Sequence, residues 1–413
     1  MAKTVFFTMN DFQKEGGGTI RMLGIINQLA EVNRDLVLIS NIVDQSKVHE
    51  NVTHIEIDFP FFPKDKRTFQ LMLSVFSFSL VNNKFKDLLF KSNQVFRQFS
   101  KDDHFVFFEY LDNSIGYWLF KNKIISGYIN DIHGIASNEF DFQFKKSTSL
   151  RKKLTFALKK KVSLMLDGKV FQNAKGIIFA SEAMKQYFLK RYPSLEKKNN
   201  IHLPYVLNNQ NIAPYDFQQV DKIKKQYDLR DHDFVFLFAG AFKETGGVQD
   251  LIQAFIRISQ QKPNTKLLII GDGPSFEECK NLVESSEFKE RIILLGRQPY
   301  HLLSSFQEVA QVLVCPDREN LFSNLIVHVK YLDALVSGKV VINGNFKSVQ
   351  EINASQKLSL LFTPSDIGDL ANKMEYAYLN YEKCCTMFRE SKSYTLNNLT
   401  YKNFIDNINF NTF

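Results

Sequence analysis

Cysteine is scarce in this sequence: four residues among 413, Cys279, Cys315, Cys384 and Cys385. Four thiols cannot staple a chain of this size, so a disulfide scaffold is excluded, and none stands in C-x-x-C spacing, so a structural zinc site is not expected. No apolar run is long enough to span a bilayer. The best stretch, 71–81, is short and broken by three serines. A secretory leader is not expected either, because Asn10 and Asp11 follow the largely apolar residues 4–9 where such a leader would continue. Charge is not strongly of one sign. Fifty-two Lys and Arg against 44 Asp and Glu give +8, which permits an anionic partner without choosing among nucleic acid, anionic lipid and sugar nucleotide. No nucleic-acid-binding motif accompanies that charge, so nucleic acid is set aside. There is no short-period repeat. The expectation is a soluble chain in a reducing compartment.

What is present is the grammar of an α/β protein. A chain of 413 residues exceeds one hydrophobic core, so two domains are expected, and 44% apolar with 23% charged residues is globular composition. Short apolar runs at 4–9, 36–40, 55–59, 105–110, 128–132 and 177–180 read as buried parallel strands. The same pattern restarts at 234–238 and continues at 267–270, 292–295, 312–314 and 340–342. Helical periodicity separates the runs: Val248, Leu251, Ile252 and Phe255 fall at i, i+3, i+4, i+7. Ser275 with Glu278 has the spacing of a capping box. Strand–helix alternation implies two doubly wound, Rossmann-like domains with a ligand cleft between them. The polar, proline-containing stretch 208–215 is the hinge candidate. It divides the chain into an N-terminal domain, 1–207, and a C-terminal domain, 208–390. The tail, 391–413, reads either as a last helix packing back on the N-terminal domain or as a frayed end.

Glycines and polar groups gather where strands end. Gly16, Gly17 and Gly18 precede a helical run from Thr19, a place where backbone N–H groups can meet an anion. This is not the G-x-G-x-x-G fingerprint, and a plain strand-to-helix loop would read the same way. In the second half, Gly240-Ala-Phe-Lys-Glu-Thr-Gly-Gly247, Gly271-Asp-Gly-Pro274, Gly296-Arg297 and the segment 320–324 each follow a strand. Tight turns explain the glycines. They do not explain Lys243, Arg297, Ser323 and Asn324 at the same edge.

The run 238–362, 125 residues, resembles the donor-binding domain of retaining glycosyltransferases of family four, which have the GT-B fold. The resemblance is carried by Phe238-Ala-Gly240, Gly247-Val-Gln-Asp-Leu-Ile-Gln-Ala-Phe255, Leu268-Ile-Ile-Gly-Asp-Gly-Pro274, Leu295-Gly-Arg297, Leu313-Val-Cys-Pro316 and Lys330-Tyr-Leu-Asp-Ala-Leu-Val-Ser-Gly-Lys339-Val-Val341. More weakly, the N-terminal glycine loop and Asp131-Ile-His-Gly-Ile-Ala-Ser-Asn-Glu139 look like the acceptor-side domain. The resemblance implies roles. Asp333 would bind the donor ribose. Ser323 and Asn324 would meet the diphosphate and the sugar, and Gly296 and Arg297 the base. Gly16 to Gly18 would face the diphosphate from the other domain, and His133 would stand near the reacting carbon. This chain departs from the family pattern at Ala241 and Gly246, where Arg and Lys are usual. It also has Asp333 in place of Glu, with Leu325 eight residues before it. Glu319 is the candidate to serve instead of Leu325, and Lys243 the candidate replacement cation beside Gly240.

The implied activity is transfer of a sugar from a nucleotide-diphosphate sugar, UDP-sugar favoured, to a glycan, glycolipid or glycoprotein acceptor. Retention of configuration and a setting in bacterial cell-surface polysaccharide or glycoconjugate synthesis are implied with it. Cations and N–H groups aimed at the leaving diphosphate would supply the catalysis, and nothing in the sequence demands a metal or other cofactor. Two other readings stay open: a non-catalytic subunit of the same fold that stabilises a partner enzyme, and a nucleotide-sugar epimerase. His133 also reads as a buried strand-end histidine, Arg297 as a surface ion pair, and Asp333 as a cap or solvated acid. Finally, 145–166 places Leu150, Leu154, Leu158, Val162 and Met165 beside eight cations. That suits an anionic membrane surface and a cytoplasmic, membrane-peripheral enzyme. The blander reading packs the apolar face on the core. The apolar and basic loop 60–67 extends the same theme.

Overall fold

The computed structural model of the protein describes residues 2–9, 17–32, 35–41, 45–57, 63–108, 110–207, 214–353, 357–404 and 408. The chain divides by contact into one unit of Met1–Tyr205 with Tyr401–Phe413, and a second of Val206–Thr400.

Runs such as Thr-Val-Phe-Phe and Phe-Val-Phe-Leu-Phe-Ala have no polar face. They are stable as strands when both sides of the sheet are covered, which is the parallel arrangement. In the first unit the strands are β1 (Thr4–Phe7), β2 (Leu36–Ser40), β3 (Val52–Glu56), β4 (His104–Phe108), β5 (Ile129–Ile132), β6 (Gly176–Phe179) and β7 (Asn199–His202). They form a seven-stranded sheet of order β3-β2-β1-β4-β5-β6-β7, all pairs parallel. The second unit has β8 (Phe234–Ala239), β9 (Thr265–Ile270), β10 (Ile292–Gly296), β11 (Val312–Cys315), β12 (Val340–Gly344) and β13 (Leu360–Phe362). Their order is β10-β9-β8-β11-β12-β13, again parallel. Each sheet is doubly wound, and its order reverses beside its first strand, between β1 and β4 and between β8 and β11. Ligands of such folds bind beyond the strand C-termini at that reversal.

The helix Val248–Ser259 illustrates how pattern becomes packing. Val248, Leu251, Ile252 and Phe255 are fully buried in the core of the second unit, each contributing about 1.5–3 kcal/mol. The helix is admitted by Gly247, which lies at φ 69° with an ideal Cβ position 1.8 Å from the carbonyl oxygen of Pro316. Any side chain there collides with the loop after β11.

Several expectations are corrected. Strand β3 runs over 52–56 rather than 55–59; it is an edge strand with an exposed side, so its pattern is mixed. Strands β7 and β13 escape the sequence pattern, one being Asn-Asn-Ile-His and the other three residues long, both at edges. The helix Phe276–Glu284 starts at the expected place, but Ser275 makes no side-chain cap and Glu278 instead accepts a hydrogen bond from Gln249 at 2.9 Å. Residues 63–67 are not loop but the opening of the helix Pro63–Val75; 60–62 lie outside the described residues. Of the hinge candidate 208–215, only 214 and 215 are described. In the tail, the helix Ser391–Asn398 packs on the helix Val329–Val336 within the second unit, whereas Tyr401 belongs to the first and covers Gly24.

Candidate functional site

The loops that leave the second sheet at its order reversal are tied to one another. Gly240 N–H donates to Ile270 O at 3.0 Å, and Gly271 N–H to Gly296 O at 2.8 Å. Phe242 N–H donates to Asp272 O at 3.0 Å, so the turn 271–274 serves the scaffold. The loops after β8 and β11 are clamped by Arg318. Its guanidinium grips Asp250 at 2.8 and 2.6 Å and reaches Glu244 O at 3.2 Å, while its N–H donates to Thr245 O.

On this frame sits a cluster of charged and hydroxyl groups. Lys330, on the helix Val329–Val336, lays its stem along Gly240 and its ammonium over the Phe238 ring at 5.2 Å. Its Nζ is 2.8 Å from Oδ1 of buried Asp317, whose Oδ2 accepts no hydrogen bond. His328 Nε2 lies 3.1 Å from Ser323 Oγ and 3.8 Å from Asp317 Oδ1. Burial holds His328 below its ordinary pKa range; Asp317 opposes this, and the charges of Lys330 and Lys243 add to the lowering. Lys243 is thus an electrostatic neighbour of the same cluster, exposed at the start of the short turn Glu244–Gly246.

The remaining expected residues are placed as follows. Ser323 is buried in the short helix Leu321–Leu325; its N–H donates to Asn320 Oδ1 at 2.9 Å, and its Oγ accepts from Asn320 Nδ2 at 2.8 Å. Asn324 donates to the Glu319 carboxylate, which brings those two together. Leu325 is buried, and its side chain carries no polar group. Asp333 stands one turn beyond Lys330 on the same helix and accepts from the Tyr300 hydroxyl at 3.2 Å. Its surroundings push its pKa up to about 7, burial outweighing the hydrogen bond from Tyr300. Gly296 has φ 63° and open space beside its Cα, and Arg297 is exposed with no ion pair or hydrogen bond to the cluster.

In the first unit, Gly17 and Gly18 open the helix Gly17–Val32 beyond β1; Gly16 lies outside the described residues. Residue Arg21, in the next turn, is fully buried. It grips Asp131 through Nε at 3.0 Å and Nη2 at 2.7 Å, and donates to the carbonyls of Leu203 and Pro204 at 2.9 and 3.1 Å. Tyr205 lies under the guanidinium at 5.0 Å. Asp131, at the end of β5, also meets His133 Nδ1 at 2.6 Å. Burial alone would raise Asp131, but Arg21 and His133 outweigh it and pull its pKa down to about 2. A carboxylate only accepts, so Nδ1 of His133 carries its proton and the ring orientation is fixed.

Arg21, Asp317, His328, Lys330 and Tyr300 were not among the expected site residues. A signal existed for Arg21 and for its partner Asp131. An arginine among Ile20, Met22, Leu23, Ile25 and Ile26, and an aspartate inside a buried strand, each need an opposite charge. Among the described residues, no group of three or more His, Cys, Asp or Glu is arranged to hold a metal ion, and no helix is long and apolar enough to cross a membrane.

The two doubly wound units define a GT-B architecture. Residues 219–393 match the family described as glycosyl transferases group 1. It is similar to alpha-monoglucosyldiacylglycerol synthase of Acholeplasma laidlawii, 26% identical over 191 residues that cover 42% of this chain and 47% of the relative. The matches to curated relatives such as this one span about half of their length or less. In solved structures the fold is shared with sucrose-phosphate synthase of Thermosynechococcus elongatus, with TM-score 0.73, 16% identity and coverage of 98% and 96% of the two chains. It is shared also with HepE of Anabaena in complex with UDP-glucose, with TM-score 0.69, 14% identity and 98% of both chains.

Proposed function

We propose that the protein is a hexosyltransferase that moves a sugar from a nucleotide-diphosphate sugar to a glycan, glycolipid or glycoprotein acceptor, with retention of configuration. The observation that carries the reading is the cluster of Lys243, Ser323, His328 and Lys330 at the order reversal of the second sheet, with Asp333 one turn along the helix that carries Lys330. Asp333, one turn from a lysine, is suited to accept ribose hydroxyls. Lys243 and the backbone N–H groups of the glycine turns are suited to the charge that grows on a departing diphosphate. UDP-glucose in the HepE complex supports a UDP-sugar as donor. In the first unit, the ring of His133, held by Asp131, is the group assigned to the acceptor side. The chain is assigned to the cytoplasm, with its acceptor at an anionic membrane surface met by 145–166, in cell-surface glycoconjugate synthesis.

A second reading has support in two ion pairs. Arg318 is taken by Asp250 and Lys330 by Asp317, and Ala241 and Gly246 add no charge, so a binding subunit without turnover is the rival. Nucleotide release from a panel of UDP-, GDP- and ADP-sugars, with and without acceptor extract, decides. Release that depends on acceptor supports transfer. Binding without release from any donor supports the rival and ends the enzymatic reading.

A further inference from the structure

The helices Ala136–Lys146 and Leu150–Asn173 form a hairpin in the first unit, joined by three residues, Ser147, Thr148 and Ser149. The longer helix turns apolar side chains outward. Leu150, Leu154 and Leu158 are 73%, 64% and 53% exposed, and Met165 continues the same face. Val162 packs inward. The core-packed reading therefore fails for the first two turns: the leucines at i, i+4, i+8 face solvent, where a contiguous apolar row signals an interaction surface.

The charge around this row has one sign. Between 150 and 166 there are six cations and no acid. Asp141 takes up Lys145 at 2.9 Å and Lys160 at 2.6 Å, and Lys159 lies over the rings of Phe140 and Phe156. Arg151, Lys152 and Lys153 form no ion pair among the described residues. At the hairpin tip, beside Leu150, a concavity of about 620 Å³ is lined by Lys146, Ser147, Ser149, Arg151, Lys152 and Thr155, among others. Arg67 of the helix Pro63–Val75 comes close enough for its charge to add to the lowering of Lys159's pKa that burial begins, extending the basic rim.

We propose that this tip is a headgroup site for anionic phospholipid: the phosphodiester sits in the concavity between Arg151, Lys152 and the hydroxyls, while Leu150, Leu154 and Leu158 enter the acyl boundary. The inference deepens the membrane part of the reading above by naming the ligand and its seat. Guanidinium and hydroxyl donors match phosphate oxygens, and an apolar row with a cationic rim matches the layered chemistry of a bilayer surface. A second copy of the chain fits poorly, because like charges would face each other. The helix Ala136–Lys146 starts three residues after His133, and its 11 residues span about 16 Å. A lipid held at the tip is thus within reach of the sheet edge that carries His133.

The test is co-sedimentation of the full chain with vesicles of phosphatidylcholine alone and with vesicles in which about one lipid in three is phosphatidylglycerol. Binding to the anionic vesicles alone is expected. The double variant Arg151→Ser, Lys152→Ser should weaken it at least tenfold, at roughly fivefold per cation. The triple variant Leu150→Ser, Leu154→Ser, Leu158→Ser should weaken it comparably, with melting temperatures unchanged because all five positions are exposed. Millimolar glycerol phosphate should not displace the vesicles. Its displacing them would make free phosphate the ligand and overturn the lipid assignment. Loss in the leucine variant with none in the Arg151, Lys152 variant would overturn the headgroup seat and leave membrane contact standing. Absence of vesicle binding would overturn both, while the donor reading, tested without lipid, would be untouched. A dimer dissolved by the leucine variant would replace the lipid by a second copy.

Discussion

Tyr300 donates its hydroxyl hydrogen to Asp333 at 3.2 Å, and yet the carboxyl of Asp333 is pushed up to about pH 7 because burial outweighs that bond. An acid half-ionised near neutrality gives the proposed donor site a pH signature. The folded pKa lies above the ordinary carboxylate value, so Asp333 costs the ligand-free fold increasing stability as pH rises from about 4 through 7. Ribose hydroxyls prefer the ionised form. The thermal shift produced by UDP should therefore grow from pH 6 to pH 8. Asp333→Asn should flatten that dependence and weaken binding about tenfold or more, as expected for a hydrogen bond to a charged group. UDP binding by the variant equal to that of the parent at pH 8 would remove Asp333 from the site.

Lys243 is exposed, and its charge is felt at His328. If that charge acts on the leaving diphosphate, Lys243→Ala should lower kcat by about 10–100-fold and change UDP affinity little. Steady-state turnover beside equilibrium UDP binding separates the two. An equal loss in both reduces Lys243 to a binding contact.

Arg21 and Asp131 are both fully buried, and each is the other's charge partner. Arg21→Met leaves the carboxylate stranded with His133, and the first unit should lose about 3–5 kcal/mol. Trp118, the single tryptophan, is buried in that unit and reports its unfolding. Asp131 is depressed to about 2, so its contribution is present above pH 4 and fades as pH falls towards 2. The difference between parent and variant, followed by Trp118 fluorescence in guanidinium chloride, should shrink over that acid window. A constant difference would place the effect in packing alone.

Asp167 behaves in the opposite sense. It is buried on the helix Leu150–Asn173, and burial raises its pKa to about 7 with only Arg191 opposing. The neutral acid is tolerated and the anion is not, so stability is lost as pH rises through 7. The penalty begins near the unfolded carboxylate value, so Asp167→Asn should be nearly equal to the parent at about pH 4, gain on it as pH rises through 7, and exceed it by more than about 1 kcal/mol at pH 8. A variant less stable than the parent at pH 8 would show a hidden partner for the anion.

Much of the architecture is written in local pattern. A fully buried parallel strand must be apolar on both faces, so β1, β2, β4, β6, β8, β9, β11 and β12 announce themselves. Edge strands need no such purity, so β7 and β13 stay hidden and β3 is displaced by three residues. Glycine turns at strand ends also appear in sequence, because backbone crowding of the kind met at Gly247 and Gly271 admits no side chain.

The amino-acid order alone thus determined the alternation of strands and helices, the family resemblance of the second half, and which loops carry cations and hydroxyls. Tertiary structure decided which of those groups meet. It set Arg21 against Asp131 across 110 residues, seated Lys330 on Asp317 beside Gly240, buried Leu325 and turned Leu150, Leu154 and Leu158 outward. The reason is physical: periodicity records which side of an element is apolar, whereas a charge pair or an uncovered face depends on what another segment brings to it.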